Sequence, residues 1–236
     1  MSIVAIIPAH DAKSRANLLL PVGGKPMMAW TIEAAIDTWS LDHVFVSTDC
    51  PKVASCARSY GAEVIESSLG SAEVVSDEAV MAHGLTWLWE VCRMRPAYLA
   101  LLSGTSPLRC TAVIDRAVSK AVETGCDVVV TVHETRDYAF TAGLEGDRLQ
   151  LGYDPTVRPP GNGLPARYMD NGTTCVVKTS LLRQAPEQRH TDVRAVVISE
   201  VEGLQVQTMH DLMIATHYLE SRRHTTSGFA RLPLMR

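Results

Sequence analysis

Ile3-Val-Ala-Ile-Ile-Pro-Ala-His10, followed after seven more residues by Leu18-Leu-Leu-Pro-Val-Gly-Gly-Lys-Pro26, decides how this chain is read. The apolar run Ile3–Ile7 has the length and branching of a strand buried on both faces. Pro8 breaks it, since proline brings no N–H to a ladder. The chain then crosses a short polar loop, Asp11-Ala-Lys-Ser-Arg-Ala-Asn17, and restarts at a Gly23-Gly24-Lys25-Pro26 turn.

Outward from that opening, short β-rich runs alternate with longer amphipathic ones. Helices are expected over Met27–Thr38, Lys52–Tyr60, Asp77–Met94 and Ala112–Thr124, and strands over Asp42–Ser47, Glu63–Ile65, Tyr98–Leu102 and Asp127–Val132. Repeated strand–helix units imply crossovers and a mostly parallel sheet with both faces covered. The expected fold is therefore α/β, a doubly wound sheet sandwiched by helices.

The period fails from His133 to Asp170, where charges, glycines that include Gly143, Gly146, Gly161 and Gly163, and Pro159-Pro160 interrupt any pattern. Such an excursion in a compact domain reads as a lid or an arm. Order resumes with strands at Thr173–Lys178, Ala195–Ile198 and Leu204–Gln207 and a helix over His210–Arg222. Residues 1–222 thus read as one domain and 223–236 as a flexible tail.

The 236 residues suffice for a full core, and a net charge of −4 gives no electrostatic reason to expect nucleic acid or an anionic membrane as partner. No apolar run approaches the roughly 20 residues that span a bilayer, and no cleavable leader is apparent, so a cytoplasmic location is expected. Six cysteines with no CxxC pair read as free thiols in a reducing compartment.

Seven segments in order carry a resemblance: Ile6-Ile-Pro-Ala, Leu20-Pro-Val-Gly-Gly-Lys-Pro, Ala29-Trp-Thr-Ile-Glu-Ala-Ala35, Val46-Ser-Thr-Asp49, Tyr60-Gly-Ala-Glu-Val-Ile65, Thr105-Ser-Pro-Leu-Arg109 and Asn171-Gly172. From Ile3 to about Tyr218 the chain resembles the acylneuraminate cytidylyltransferase family, whose members make CMP-activated sialic and related nonulosonic acids. The resemblance implies a nucleotide-diphospho-sugar transferase-like fold and transfer of CMP from CTP to a sugar acid with release of pyrophosphate. It also implies a homodimer paired through the 133–170 excursion as a dimerisation arm.

That chemistry needs triphosphate donors, a divalent cation and an acceptor pocket. For the triphosphate, the resemblance points to Lys25, Arg15 and Lys13 as catalytic cations, with Ala9, His10, Asn17, Asp49 and Thr105 completing the nucleotide site. The family's Arg-Gly-Gly-Ser-Lys is here His10-Asp-Ala-Lys-Ser-Arg15, in a loop about three residues shorter, and Asp11 opposes a polyanion. Lys25 suits either a phosphate contact or a structural role in its turn. For the cation, Mg2+ in an active member, the family's two aspartates before the last helix fall on Gln205 and Gln207, and amides hold hard cations poorly. Asp211 reads as a cap of that helix. For the acceptor, Ser103, Arg109 and Asn171 are the candidates. Ser103-Gly104 replaces the family's Gln-Pro, and Gly161-Asn162 replaces its Arg-Gln. Thr105 and Ser106 suit either a helix cap or ligand hydroxyls, and Arg109 either a substrate carboxylate or an ion pair.

Three functions remain open: a CMP-transferring enzyme with an altered acceptor and metal site, a catalytically silent relative that binds nucleotide, sugar acid or a protein partner, and a cytidylyltransferase acting on a phosphonate or other acidic acceptor.

Overall fold

A computed structural model describes residues 1–9, 18–67, 76–135, 143–145, 148–150, 156, 166–184 and 191–226. Its centre is a seven-stranded sheet of β1 (Ile3–Ala9), β4 (His43–Thr48), β5 (Glu63–Glu66), β6 (Tyr98–Leu102), β7 (Val128–Thr135), β10 (Arg167–Lys178) and β11 (Val193–Ile198), in the order β11-β7-β10-β6-β1-β4-β5. Every pairing is parallel except those of β10, which runs antiparallel between β6 and β7. Two short hairpins stand apart: β2 (Pro21–Val22) with β3 (Lys25–Pro26), and β8 (Gly143–Glu145) with β9 (Arg148–Gln150).

Helices α1 (Met27–Ile36), α2 (Pro51–Ser59), α3 (Asp77–Glu90), α4 (Thr111–Thr124) and α5 (Met209–Thr226) complete the chain. One face of the sheet packs Ile7, Val46 and Val129 against Met28, Ile32, Val113 and Ala117 of α1 and α4. The opposite face packs Ile6, Phe45 and Leu99 against Val80, Leu85 and Leu88 of α3. Residues adjacent along β1 alternate between these two cores, the expected consequence of a period of two in a strand covered on both sides. The α/β sandwich expected from the sequence is therefore the observed one.

Differences from the expected elements are local. β1 does not break at Pro8 but runs through it, paired with Ser47, to Ala9. The Leu204–Gln207 run forms no strand; its one ladder-like contact is Val206 N–H to the Thr105 carbonyl at 2.8 Å, too little to extend the sheet. β10 begins at Arg167, six residues before the expected Thr173, because Arg167–Asp170 continue the pairing with β7 beyond an irregularity between Asp170 and Cys175. Helix α5 runs to Thr226, four residues past the expected Arg222. Most of the 133–170 excursion and residues 227–236 lie outside the described residues. All six cysteines are free.

The Gly23-Gly24 turn between β2 and β3 has φ of +56° and +86°, the left-handed pair that a two-residue hairpin turn requires and glycine supplies. A Cβ on Gly23 would lie 2.9 Å from Leu219 Cβ, so α5 packs directly on this turn. Asp211 does cap α5, as the sequence predicts: its Oδ2 accepts the Thr208 N–H at 2.8 Å, and Thr208 Oγ1 accepts the Asp211 N–H at 3.3 Å. The hydroxyl and N–H donors of Thr208, together with the Gln207 N–H, hold the Asp211 carboxyl below its usual range. A carboxyl with a lowered folded pKa stabilises above its unfolded pKa and loses that contribution as pH falls through the folded value. Asp211→Ala is expected to destabilise the fold by about 1 kcal/mol at neutral pH. The difference from wild type should shrink below about pH 4 in urea melts.

Candidate active site

The chain passes from β1 to β4 and β5 on one side of the sheet, then returns to the other side of β1 for β6. β1 and β6 thus flank the point at which the winding reverses, and open α/β sheets bind ligands in the crevice beyond the carboxyl ends of such strands. A cleft of about 390 Å³ opens there. Pro8 of β1, Leu101 and Ser103-Gly104-Thr105 at the end of β6, Asp77 and Val80 of α3, and Val130 of β7 line it, with Asp170, Gly172, Thr174 and Cys175 of β10 and Gln205.

The polar floor is tightly bonded. Ser103 Oγ and Thr105 Oγ1 lie 2.9 Å apart, and the Ser103 N–H donates to the Thr173 carbonyl at 3.0 Å. Asn171 Oδ1 accepts from Thr131 Oγ1 at 2.7 Å and from the Thr173 N–H at 3.2 Å, while its Nδ2 is buried without a partner. Gly172 has φ of +62°, and a Cβ there would meet Gln205 Nε2 at 2.7 Å. The positive φ favours glycine at this point, where Gln205 packs against β10.

Of the residues singled out from sequence, Ser103, Thr105 and Gln205 meet in this cleft, with Asn171 between two of its lining residues. Arg109 requires a correction. It is neither poised for a substrate carboxylate nor paired with a described acidic residue: it is 3% exposed, and its guanidinium donates to the carbonyls of Ser103, at 3.2 Å, and of Thr173. Burial without a carboxylate lowers its pKa to about 9. Its position, after Leu108 and before an α4 that starts at Thr111, turns it inward to tie β6 to β10. Thr105 and Ser106 do not cap α4 either, since Cys110 occupies the N-cap position.

Lys25 sits away from the cleft lining, bonded to Glu33 Oε2, with Nζ 3.6 Å from the centroid of the Trp30 ring. In this structure it has the structural-turn role. Ala9 is buried at the end of β1, its carbonyl accepting Thr48 Oγ1 at 2.9 Å, and Asp49 is exposed just beyond β4. His10, Lys13, Arg15 and Asn17, and the Gly161-Asn162 pair, lie outside the described residues.

Gln205 and Gln207 do not fit a divalent cation. Gln205 Nε2 donates to the Asn171 carbonyl at 2.9 Å, and Gln207 Nε2 reaches Gln205 Oε1 at 3.4 Å, so the pair spends its amides on β10 and on itself. Neutral amides also lack the charge a hard cation draws on. Among the described residues no group of three or more His, Cys, Asp or Glu side chains is placed to hold a metal.

Asp77 and Asp170 were not singled out from sequence. Asp77 reads as a helix-start residue behind the cap Ser76, whose Oγ accepts the Ala79 N–H at 3.2 Å, and nothing local reveals that this helix end faces the cleft. Partial desolvation at the cleft wall raises the Asp77 carboxyl pKa. Burial first, then the charges of Asp170 and Asp77, push the Cys175 thiol up to about 12, so it stays protonated and unreactive.

A cleft at the switch point of a doubly wound sheet is the place where α/β domains of this kind bind small molecules. Comparison with known proteins narrows this. Residues 4–139, more than half of the chain, match the sequence profile described as Cytidylyltransferase, and the chain belongs to that family. It is 41% identical over 76 residues to 3-deoxy-manno-octulosonate cytidylyltransferase of Synechococcus elongatus, a match covering 31% of this chain and 30% of that protein. It is 34% identical over 135 residues to CMP-N,N'-diacetyllegionaminic acid synthase of Legionella pneumophila, covering 55% and 57%. The matched stretches thus span about a third to somewhat over half of these relatives' lengths. In structure it is similar to a CMP:2-keto-3-deoxy-manno-octonic acid synthetase complexed with CTP, with a TM-score of 0.68 at 16% identity, over 94% of this chain and 100% of that one. It is also similar to 4-diphosphocytidyl-2C-methyl-D-erythritol synthase of Anaerococcus prevotii, with a TM-score of 0.64 at 14% identity over 93% and 98%. These two likenesses concern the fold. No described helix is long and apolar enough to cross a membrane.

Proposed function

We propose that this protein transfers CMP from CTP to a sugar acid and releases pyrophosphate. The observation that carries the reading is the open cleft between β1 and β6 in a chain of the cytidylyltransferase family. An acceptor hydroxyl held in the cleft attacks the α-phosphorus, the new O–P bond forming as the bond to the β-phosphate oxygen breaks, while the hydroxyl proton passes to water and pyrophosphate departs. The protein's contribution is alignment of the two substrates and compensation of phosphate charge. Lys13 and Arg15 are the proposed phosphate partners. Incubation with CTP and 3-deoxy-manno-octulosonate or N-acetylneuraminate should release pyrophosphate. Release from another nucleotide in preference to CTP would sink the reading, and release only with a phosphonate acceptor would replace the sugar acid.

A second reading, a silent family member that binds nucleotide without turnover, is favoured by the Gln205–Gln207 amide pair. Under it, and under the first reading with a weakened metal site, the Gln205→Asp, Gln207→Asp double variant should gain magnesium affinity. The change costs about 1 kcal/mol for the lost bond to Asn171. Unchanged magnesium binding by calorimetry would show that these positions do not correspond to the family's carboxylates.

The excursion at 133–170 is proposed to pair two subunits in a homodimer. A monomeric mass by light scattering at micromolar concentration would rule that out. A cytoplasmic location is proposed on the same footing as the small-molecule substrates.

A further inference from the structure

The wall of the cleft carries charge that a purely anionic acceptor does not match. Asp77, at the start of α3, and Asp170, on β10, both line it, and no described Lys, Arg or His side chain does. Neither carboxylate is ion-paired with a described residue; Asp170 Oδ1 accepts only the Gly172 N–H, at 2.8 Å. Arg109, the cation expected at this place, is spent on the carbonyls of Ser103 and Thr173 and withdrawn from solvent. A sugar acid offering only carboxylate and hydroxyl groups would meet two carboxylates of its own charge in the described lining.

We infer that the acceptor bound in this cleft carries an ammonium group facing Asp77 and Asp170, so that the substrate class is an amino-bearing, zwitterionic sugar acid. The inference rests on the transfer reading for the word acceptor and on the cleft alone for the cation. An ammonium has three N–H donors, and the residues lining the cleft offer two carboxylates and the Ser103–Thr105 hydroxyl pair. A divalent cation fits less well, because the amide oxygen of Gln205 already accepts from Gln207 and no third acidic or imidazole ligand joins the two carboxylates among the described residues.

The test is calorimetric titration at pH 7 with two probes that differ at one group: the methyl glycoside of neuraminic acid, with a free amine, and that of N-acetylneuraminic acid. Wild type, Asp77→Asn and Asp170→Asn are compared, with CTP and manganese titrated into each. Both aspartates are exposed, and circular dichroism should show both variants folded. Wild type is expected to bind the amine about tenfold more tightly, the equivalent of about 1.4 kcal/mol, and each variant to lose most of that preference. Equal or tighter binding of the N-acetyl probe, a preference that survives both substitutions, or failure of the amine to bind at millimolar concentration overturns the inference. So does manganese binding that vanishes in the variants without any amine preference. An amine preference in a protein that binds no CTP would retire the transfer reading and leave the cation preference standing. CTP binding without an amine preference would do the reverse.

Discussion

Gly84→Val is expected to separate α3 from the sheet and cost about 3 kcal/mol of stability. A Cβ on Gly84 would stand 2.5 Å from Ile6 Cδ1 and 3.6 Å from Ile65 Cδ1. The far end of an isoleucine can usually swing aside, but Ile6 is fully buried with Phe45, Leu88 and Leu99 around it, in a core packed at close to crystalline density. The two further methyls of valine leave α3 only outward movement. That movement carries Asp77 and Val80 with it, so the same substitution should weaken ligand binding at the cleft. Chemical denaturation gives the first effect and calorimetry the second. Gly84→Ala is the graded control, with a smaller loss in both. Wild-type stability in Gly84→Val would mean that α3 is not seated as described.

Arg109→Ala is expected to cost about 3 kcal/mol and to abolish measurable binding at the cleft. The guanidinium is the cross-brace between the end of β6, which presents Ser103 and Thr105, and the β10 irregularity, which presents Asp170, Gly172 and Thr174. Its removal leaves a void against the carbonyls of Ser103 and Thr173. The carbonyls of Ser103 and Thr173 keep one partner each, Thr31 Oγ1 and the Ser103 N–H, so the fold should survive. Arg109→Lys keeps the charge but cannot fork across two carbonyls, and it should restore stability more than binding. Full binding in the lysine variant would assign the residue a role through charge rather than through bracing.

The sandwich was legible because its strands are short apolar runs and because α2 and α4 carry a clear apolar stripe; β1, β4 and β6 read directly as strands buried on both sides. What escaped was set by distant packing. Leu204–Gln207 has strand-like composition yet makes a single sheet-edge bond, through Val206. β10 looks too polar before Thr173, but Arg167–Asp170 pair with β7 where their side chains remain exposed. The site followed the same division. Ser103 and Thr105 were found through the family resemblance of the segment that follows β6, whereas Asp77 and Asp170 belong to elements that only the fold brings together. Arg109 was misread because a sequence shows charge and not direction, and here Leu108 and the late start of α4 turn the side chain inward.

The central claim, that a nucleotide substrate enters this cleft in a chain of the cytidylyltransferase family, is tested most directly by calorimetric titration of the full chain with CTP, ATP, GTP and UTP in parallel, each with and without magnesium. The account predicts micromolar binding of CTP in preference to the other three, with little dependence on magnesium because Gln205 and Gln207 cannot hold it. Absence of binding by all four, or tighter binding of a purine nucleotide, would contradict it.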